Sequence, residues 1–142
     1  MPGPVQNVLQ PGELLVEFRM LKPSANSGSH YRRFIPRNEM DIAVVGVGAS
    51  VTLDAAGRTI VSGRIGLGAV APTPLFASAA SASLAGNPAD EATFRKAAEL
   101  ARQAISPIDD MRGTREYRLH LTGVLVERTL AAAVERARAH RS

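Results

Sequence analysis

The sequence of 142 residues has no cysteine and no tryptophan, and its aromatic residues are only two tyrosines and four phenylalanines. The lack of cysteine excludes disulfides, iron–sulfur clusters, thiolate zinc sites and cysteine nucleophiles within the chain, and it fits a reducing compartment such as the cytoplasm. The scarcity of aromatic rings disfavours a protein that stacks single-stranded bases. No apolar run approaches the roughly 20 residues that a bilayer span needs, and residues 1–4 lack the basic-then-apolar order of a signal peptide. We therefore expect a cytoplasmic protein with neither a membrane nor a nucleic acid as partner.

Positive charge is in slight excess, because 17 basic residues stand against 13 acidic ones and give a formal net charge of +4. Lysine occurs only at Lys22 and Lys96, so nearly all basic residues are arginines, and these are scattered among acidic residues. Such a pattern is typical of a solvated surface. Nucleic-acid binding through the positive charge stays open as an alternative, which a steep loss of binding with salt would reveal.

Hydrophobic residues make up 45% of the sequence and charged residues 21%, which is typical of a globular domain with its own core. Pro and Gly concentrate in residues 1–12, which we interpret as a linker or tail before a domain at residues 13–142. Within that domain, apolar and polar residues alternate over 15–20, which predicts a half-buried strand. A second strand is predicted over 30–35, where Pro36 ends it or confines it to a sheet edge.

The most apolar stretch, residues 40–53, is rich in β-branched residues and alternating glycines and predicts a central strand. Residues 54–57 indicate a hairpin connection in which Gly57 takes a positive φ. The chain then returns over 59–71 as the partner strand. Two long strands around a tight turn predict an antiparallel sheet.

Three helices are predicted in the rest of the chain. The first runs over 75–84, with Thr73 as its N-cap. The second begins at Asp90 or a neighbouring residue and ends before Pro107, and its core stripe is Phe94, Ala97, Ala98, Ala101 and Ile105. The third begins at Thr114 and is expected to fray in its last turns. Its core stripe is Tyr117, Leu121, Val124, Leu125 and Ala132.

Strands that precede helices indicate an α+β fold, with a small antiparallel sheet of three to four strands and three helices packed on one face. No further helix is left to cover the other face of the sheet. We expect that face to meet solvent, a second subunit or another domain, and a homodimer formed through it is a secondary prediction.

Few residues are candidates for catalysis or metal binding. His30, His120 and His140 are too far apart in sequence to indicate a metal site or a catalytic triad. Asp109 and Asp110 precede several arginines, which favours helix capping and ion pairing over acid–base catalysis. We therefore predict no catalytic and no metal-binding residue.

Two glycine-containing runs invite comparison with nucleotide-binding loops. Residues 46–48 lie inside a predicted strand and lead into residues 50–52 rather than into a helix, so they do not match a dinucleotide fingerprint. We expect these glycines to let a helix approach the sheet closely. Residues 66–72 join a strand to a helix, and they either present backbone N–H groups to an anion or reflect tight packing.

A polar cluster surrounds the second predicted strand. Successive strand residues point to opposite faces, so Arg32 and Arg33 lie on different sides of the sheet and one of them can line a surface. Asp41 is expected to fix the local turn or to pair with Arg37. The whole cluster consists of Tyr31, Arg32, Arg33, Arg37, Asn38 and Asp41.

Three ordered blocks, at residues 28–45, 67–74 and 107–118, read GSHYRRFIPRNEMDIAVV, LGAVAPTP and PIDDMRGTREYR. They resemble the C-terminal domain of the flavin-binding (medium) subunit in the carbon monoxide dehydrogenase/xanthine dehydrogenase family of molybdenum hydroxylases. The likeness extends from Gly12 to about Arg136, and it implies the same α+β fold of strands followed by three helices.

The resemblance implies a part in an FAD-dependent oxidoreductase. In this family the medium subunit holds FAD and passes electrons from a molybdenum centre, through iron–sulfur clusters, to an acceptor, and its C-terminal domain packs beside the isoalloxazine ring. By position, Arg33 and Tyr31 would be the cofactor-binding residues, with Arg33 standing where many relatives have lysine. A cation near the pyrimidine edge of a flavin favours its reduced, anionic form. Arg33 as an ordinary surface or interface residue stays open.

The family's larger N-terminal FAD-binding region has no counterpart in this sequence. We therefore expect FAD to be bound in the full assembly, with that region and the iron–sulfur and molybdenum subunits as partners. The chain alone is expected to bind FAD weakly or not at all and to hold no complete active site. The alternative is a free-standing oligomeric interaction module that kept the fold without a redox function.

Overall fold

Four strands come before three helices in the computed structural model, which describes residues 3–4, 6–37 and 41–140. The strands form one antiparallel sheet in the order β1-β2-β3-β4. The predicted α+β fold with a small antiparallel sheet is confirmed. The elements are β1 (Ser27–Phe34), β2 (Val45–Leu53), β3 (Ile60–Gly68), β4 (Leu75–Phe76), α1 (Ser78–Ala82), α2 (Glu91–Gln103) and α3 (Arg115–Ala139).

The core lies between the sheet and the helices, because strand side chains alternate between two environments. The odd-numbered residues of β2 are all buried on the helix side, and Ile60, Ile65 and Leu67 of β3 join them. Helix α3 packs on β1 and β2, α1 packs on β3, and α2 packs on the other two helices. No described helix covers the opposite face of the sheet, as predicted. The buried residues of β2 are Val45, Val47, Ala49, Val51 and Leu53.

The β2–β3 hairpin is built around Asp54, whose carboxylate accepts hydrogen bonds from the backbone N–H groups of Arg58 at 2.8 Å and Thr59 at 3.1 Å. Gly57 takes the positive φ that the turn requires, 72°. The N–H groups of Arg58 and then Thr59 hold the pKa of Asp54 below its usual value. The predicted hairpin is confirmed.

Helix α2 begins as its sequence predicts. Asp90 is the N-cap, and its side chain accepts a hydrogen bond from the backbone N–H of Thr93 at 2.9 Å. The predicted core stripe is buried in full, and it consists of Phe94, Ala97, Ala98, Ala101 and Ile105.

Helix α3 begins at the predicted cap, Thr114, but its stripe and its end differ from the prediction. Tyr117 is 40% exposed, whereas residues near the C-terminus are buried against the sheet. The expected fraying is wrong, because Arg136 and Arg138 tie the last turns to the carbonyl oxygens of Ser29 and Gly57. The observed stripe is Leu121, Leu125, Val126, Leu130, Ala133, Val134 and Ala137.

The predicted helix over 75–84 is partly wrong. Leu75 and Phe76 pair with β3 as the short strand β4, and α1 begins only at Ser78, without a side-chain cap. The backbone N–H of Ala77 donates to the carbonyl oxygen of Ile65, so this sheet pairing outweighs the helix-start signal of Thr73. Of the two alternatives for residues 66–72, the helix N-terminus that presents N–H groups to an anion does not apply, since the strand β4 follows instead.

The predicted strand over 15–20 is also wrong within this chain. Those residues have no strand partner and are exposed to solvent. None of the described helices is long and apolar enough to cross a bilayer.

Candidate functional site

The uncovered face of the sheet, called the open face below, carries an unusual row of small residues at its centre. The β2–β3 register places Gly46 opposite Gly68 and Gly48 opposite Gly66, and all four lack a side chain that would project from the sheet. A Cβ atom built on Gly66 or Gly68 would meet nothing within 4 Å. These four glycines are called the glycine floor below. Its β3 half, Gly66 and Gly68, is bare backbone that a flat group can approach closely, whereas Gly46 and Gly48 lie under the ring of Tyr31. The rest of the face consists of Ser27, Ser29, Tyr31, Arg33, Ser50, Thr52, Ser62, Arg64 and Phe76.

The glycines within β2 thus serve a different purpose from the one predicted. They do not receive a helix, because Tyr31 leans over them, with its hydroxyl oxygen 2.9 Å from the position of a Cβ on Gly46. The close approach of a helix occurs instead at Gly28, where a Cβ would lie 2.2 Å from the carbonyl oxygen of Ala133 and 2.4 Å from the backbone nitrogen of Ala137.

Two aromatic rings border the glycine floor and remain largely accessible. Tyr31 is 62% exposed and Phe76 is 52% exposed, in a chain with few aromatic residues. The guanidinium of Arg64 lies 5.4 Å from the centre of the Phe76 ring, in cation–π range. Exposed rings beside a flat floor form a surface on which a planar ligand or a partner can stack.

The charged strand residues of the open face are all positive. Arg33 lies opposite Gly46 in the β1–β2 register, and Arg64 lies opposite Ser50 in the β2–β3 register. None of the strand residues on this face is acidic, so neither arginine has a carboxylate partner from the sheet. Arg32 lies on the other side of β1, as the alternation of strand residues predicts.

An ion pair between a buried arginine and a partly buried aspartate fixes the end of the sheet where the glycine floor begins. Arg118 of α3 is 3% exposed, and its guanidinium donates hydrogen bonds to the carbonyl oxygens of Val44 at 2.6 Å and Ala69 at 3.2 Å. It also donates to the carboxylate of Asp110 at 2.7 Å. Ala69 has a left-handed φ of 64°, immediately after β3. Arg118 therefore clamps the start of β2 and the end of β3 to α3.

The backbone N–H of Arg112 and the side chain of Arg118 hold the pKa of Asp110 below its usual value, so this carboxyl is charged at neutral pH. Asp109 accepts a hydrogen bond from the backbone N–H of Arg115 at the start of α3. The prediction of capping and ion pairing for Asp109 and Asp110 is confirmed. The burial of Arg118 was not predicted, although its spacing to Leu121 and Leu125 places it on the core stripe.

Asp41 and Arg37 of the polar cluster make a local structural contact. Asp41 accepts from the backbone N–H of Arg37 at 3.1 Å and lies 3.6 Å from its guanidinium, as predicted. Asn38 lies outside the described residues. Burial, helped by Arg136 and Arg32, lowers the pKa of His30, so its ring is neutral at pH 7. Among the described residues, no group of three potential metal ligands comes together.

Comparison with known proteins gives a consistent result. The family described as CO dehydrogenase flavoprotein C-terminal domain matches residues 30–133. The carbon monoxide dehydrogenase medium chain of Afipia carboxidovorans is 37% identical over 137 residues, which cover 96% of this chain and 45% of that protein. The xanthine dehydrogenase FAD-binding subunit of Escherichia coli O157:H7 is 29% identical over 93% of this chain and 45% of its own length. The chain thus spans about half the length of the curated relatives it matches.

Solved structures agree with the sequence matches. Reconstituted CO dehydrogenase from Oligotropha carboxidovorans superposes with a TM-score of 0.86 at 34% identity, over 94% of this chain and 46% of that one. Quinoline 2-oxidoreductase from Pseudomonas putida 86 gives a TM-score of 0.73 at 32% identity, over 78% of this chain and 38% of that one. The chain therefore belongs to the family of CO dehydrogenase flavoprotein C-terminal domains, as its three sequence blocks predicted.

Proposed function

We propose that the chain acts as the C-terminal domain of the FAD-carrying subunit of a molybdenum hydroxylase and turns its open face towards the flavin. The relatives are named as FAD-binding or medium subunits of such enzymes, which supports this role. The observation that carries the proposal is the glycine floor, which is bare at Gly66 and Gly68 and is bordered by exposed aromatic rings and two arginines. In the assembly, electrons would pass from the molybdenum centre through iron–sulfur clusters to the flavin and on to an acceptor.

The open face suits one side of a planar ring system. Residues two apart on a strand are separated by about 7 Å and neighbouring strands by about 5 Å, so the four glycines span a patch of that size, over which the ring of Tyr31 leans at Gly46 and Gly48. A ring lying over this patch would have Tyr31 on the β1 side and Phe76 on the β4 side. Such a surface provides dispersion contacts over Gly66 and Gly68 directly, and over Gly46 and Gly48 once the ring of Tyr31 has turned aside.

Arg33 and Arg64 would supply the electrostatic stabilisation of the reduced flavin. A bound flavin accepts and gives up electrons, and its reduced form carries more negative charge than its oxidised form. A guanidinium close to the ring favours that reduced form by Coulomb attraction. We assign this role first to Arg33, because it stands beside Tyr31 on β1, within the sequence block that carries the family likeness.

The two long helices of the described residues offer no free N-terminus for the diphosphate of FAD. The N-termini of α2 and α3, which are the natural sites for a phosphate, are occupied by the side chains of Asp90 and Thr114. Glu91 and Glu116 in the first turns add negative charge that repels a phosphate. We infer that the region filling the other half of the relatives' length holds the diphosphate, and that this chain alone binds FAD weakly.

Three further parts of the proposal follow from the same role. Residues 1–12 would be a linker to that FAD-binding region, and residues 13–142 the domain. The iron–sulfur and molybdenum subunits would be the other partners. The assembly would work in the cytoplasm.

The test compares Arg33→Gln with Arg32→Gln in the purified, flavin-loaded assembly, because these neighbours lie on opposite faces of β1. Arg33→Gln should lower the flavin midpoint potential by about 20 mV, equivalent to roughly 1 kcal/mol for two electrons. Arg32→Gln should leave the potential unchanged. Equal potentials in both variants would contradict the assignment of Arg33. Stoichiometric, tight FAD binding by the isolated chain in a spectroscopic titration would contradict the proposed division of the site.

A further inference from the structure

Ala69, the residue that follows β3, has a backbone conformation that its side chain disfavours. Its φ of 64° lies in the left-handed region, where a Cβ atom crowds the carbonyl oxygen. Among the described residues other than glycine, only Asn26 shares a positive φ, and asparagine tolerates it. Strain of this kind persists only where the surrounding contacts impose it, and it clusters at functional sites. Ala69 therefore needs a group that holds it.

The turn that begins at Ala69 sets the position of two parts of the open face. Gly68, immediately before Ala69, pairs with Gly46 at one end of the glycine floor. The chain then turns and returns as β4, which places Phe76 beside β3 and next to the floor. A different φ at Ala69 would redirect the chain after β3. It would therefore move the ring of Phe76 relative to the glycine floor.

Arg118 holds this turn from the helix side of the sheet. Its buried guanidinium donates a hydrogen bond to the carbonyl oxygen of Ala69 at 3.2 Å and another to that of Val44 at 2.6 Å. The backbone N–H of Val44 in turn donates to the carbonyl oxygen of Phe34, the last residue of β1, at 2.9 Å. One side chain of α3 thus joins the residue before β2 to the residue after β3, and these two strands carry the glycine floor.

The hold depends on the shape of the guanidinium. Arg118 uses Nη1 for the two carbonyl oxygens and Nη2 for the carboxylate of Asp110, which lies at 2.7 Å. Asp110 is itself fixed by the backbone N–H of Arg112 at 2.9 Å. A guanidinium presents its donors in a rigid planar fork, whereas lysine carries all its donors on one nitrogen. A lysine at position 118 would therefore lose at least one of these contacts.

We propose that Arg118 is a positioning residue of the flavin site. By holding the carbonyl oxygens of Val44 and Ala69, it keeps the turn after β3 in its left-handed conformation and so fixes Phe76 and the end of the glycine floor. Arg118 acts through the backbone and does not touch the flavin. The inference rests on the proposed function for the place of the flavin, but the hold on Ala69 is a property of the chain alone.

The first experiment measures urea unfolding of the chain for Arg118→Lys, Ala69→Gly and the double variant. Glycine adopts a positive φ without strain, so Ala69→Gly removes the need for the hold. Arg118→Lys should raise the unfolding equilibrium constant about tenfold beside Ala69, and by a factor roughly threefold smaller beside glycine, because the two sites are coupled. Equal factors in the two backgrounds would overturn the proposal.

The second experiment records the visible circular dichroism of FAD and its dissociation constant in the purified, flavin-loaded assembly. The isoalloxazine ring is planar, so its circular dichroism reports the asymmetry of its surroundings. Arg118→Lys should change this spectrum and weaken FAD binding about tenfold, and the added Ala69→Gly should restore both to within about twofold. The matched control is Arg112→Lys, because Arg112 contacts the same carboxylate of Asp110 at 3.6 Å. It should leave both quantities unchanged.

Two further outcomes would overturn the proposal. Coupled unfolding with an unchanged spectrum and FAD affinity would show that Arg118 only stabilises the fold. A changed spectrum that Ala69→Gly does not restore would show that Arg118 acts by a route other than the turn. Failure of the proposed function has a different signature, in which the flavin potential is the same in Arg33→Gln and Arg32→Gln. Coupled unfolding would then keep the hold on Ala69 and reject only its role towards the flavin.

Discussion

At the scale of single residues, the most consequential side chain is Arg118 of α3, one of the arginines that follow Asp109 and Asp110 and that the sequence predicted to form ion pairs with them. A charged residue on an amphipathic helix is usually solvated, so its burial depends on receiving acceptors from elsewhere in the fold. Here those acceptors are the carbonyl oxygens of Val44 and Ala69, which are far from Arg118 in sequence. No local sequence pattern predicts them. Short-range partners such as Asp41 with Arg37 were predictable, because both groups lie within one turn.

The variant Arg118→Met should reduce the free energy of unfolding by about 2–4 kcal/mol, because it removes the guanidinium donor from the buried carbonyl oxygen of Val44 and from the partly buried one of Ala69. Urea unfolding measures this change. The matched control is Arg112→Met, since Arg112 is a more exposed partner of the same carboxylate at 3.6 Å and should cost less than about 1 kcal/mol. Equal losses in the two variants would show that the carbonyl contacts of Arg118 contribute nothing.

The pH dependence of stability should report on Asp54 and Asp110. Both carboxyls have a pKa below the ordinary value of 3.8 in the folded state, so the unfolded chain takes up protons first as the pH falls. Their stabilising contribution is complete near neutral pH and is lost as the pH falls below about 4. Asp54→Asn should therefore be less stable than the wild type at pH 7, and the gap should close towards pH 3 in denaturation experiments. A gap that stays constant over this range would contradict the pKa direction.

At the scale of elements, the sequence predicted the β2–β3 hairpin, α2 and the start of α3, because caps and turns such as Asp90, Thr114 and Gly57 act locally. It failed where pairing with a distant element decides the outcome. Leu75 and Phe76 follow a good helix-start signal, yet they pair with β3. The glycines of β2 show the same limit, because a glycine inside a strand gives no sign of which face requires the space.

Replacing one glycine on each face of the sheet tests which face requires the space. Gly28→Ala should lower stability by roughly 1–3 kcal/mol, because its Cβ would enter the backbone of α3 and force the helix away from β1. Gly66→Ala adds a methyl group to open space and should change stability by less than about 0.5 kcal/mol. Thermal or urea unfolding of the two variants gives the comparison. A large loss from Gly66→Ala would mean that the open face is covered in solution.

At the scale of the whole molecule, the chain is a sheet with helices on one side and an accessible, positively charged face on the other. The sequence predicted this one-sided architecture, since the three helices suffice for one face only. It also placed Tyr31 and Arg33 on β1, but it did not predict the glycine floor beneath Tyr31 or the flanking Phe76 and Arg64. Those arise from the register of three strands, which pairs Gly46 with Gly68 and Phe76 with Gly66.

The central claim is that the open face forms one side of the flavin site, and a cryo-electron microscopy structure of the FAD-loaded assembly tests it most directly. The predicted result places the isoalloxazine ring on the glycine side of the sheet, nearer to Arg33 than to Arg32. A map in which the open face contacts solvent or another protein surface, with the ring elsewhere, would contradict the account.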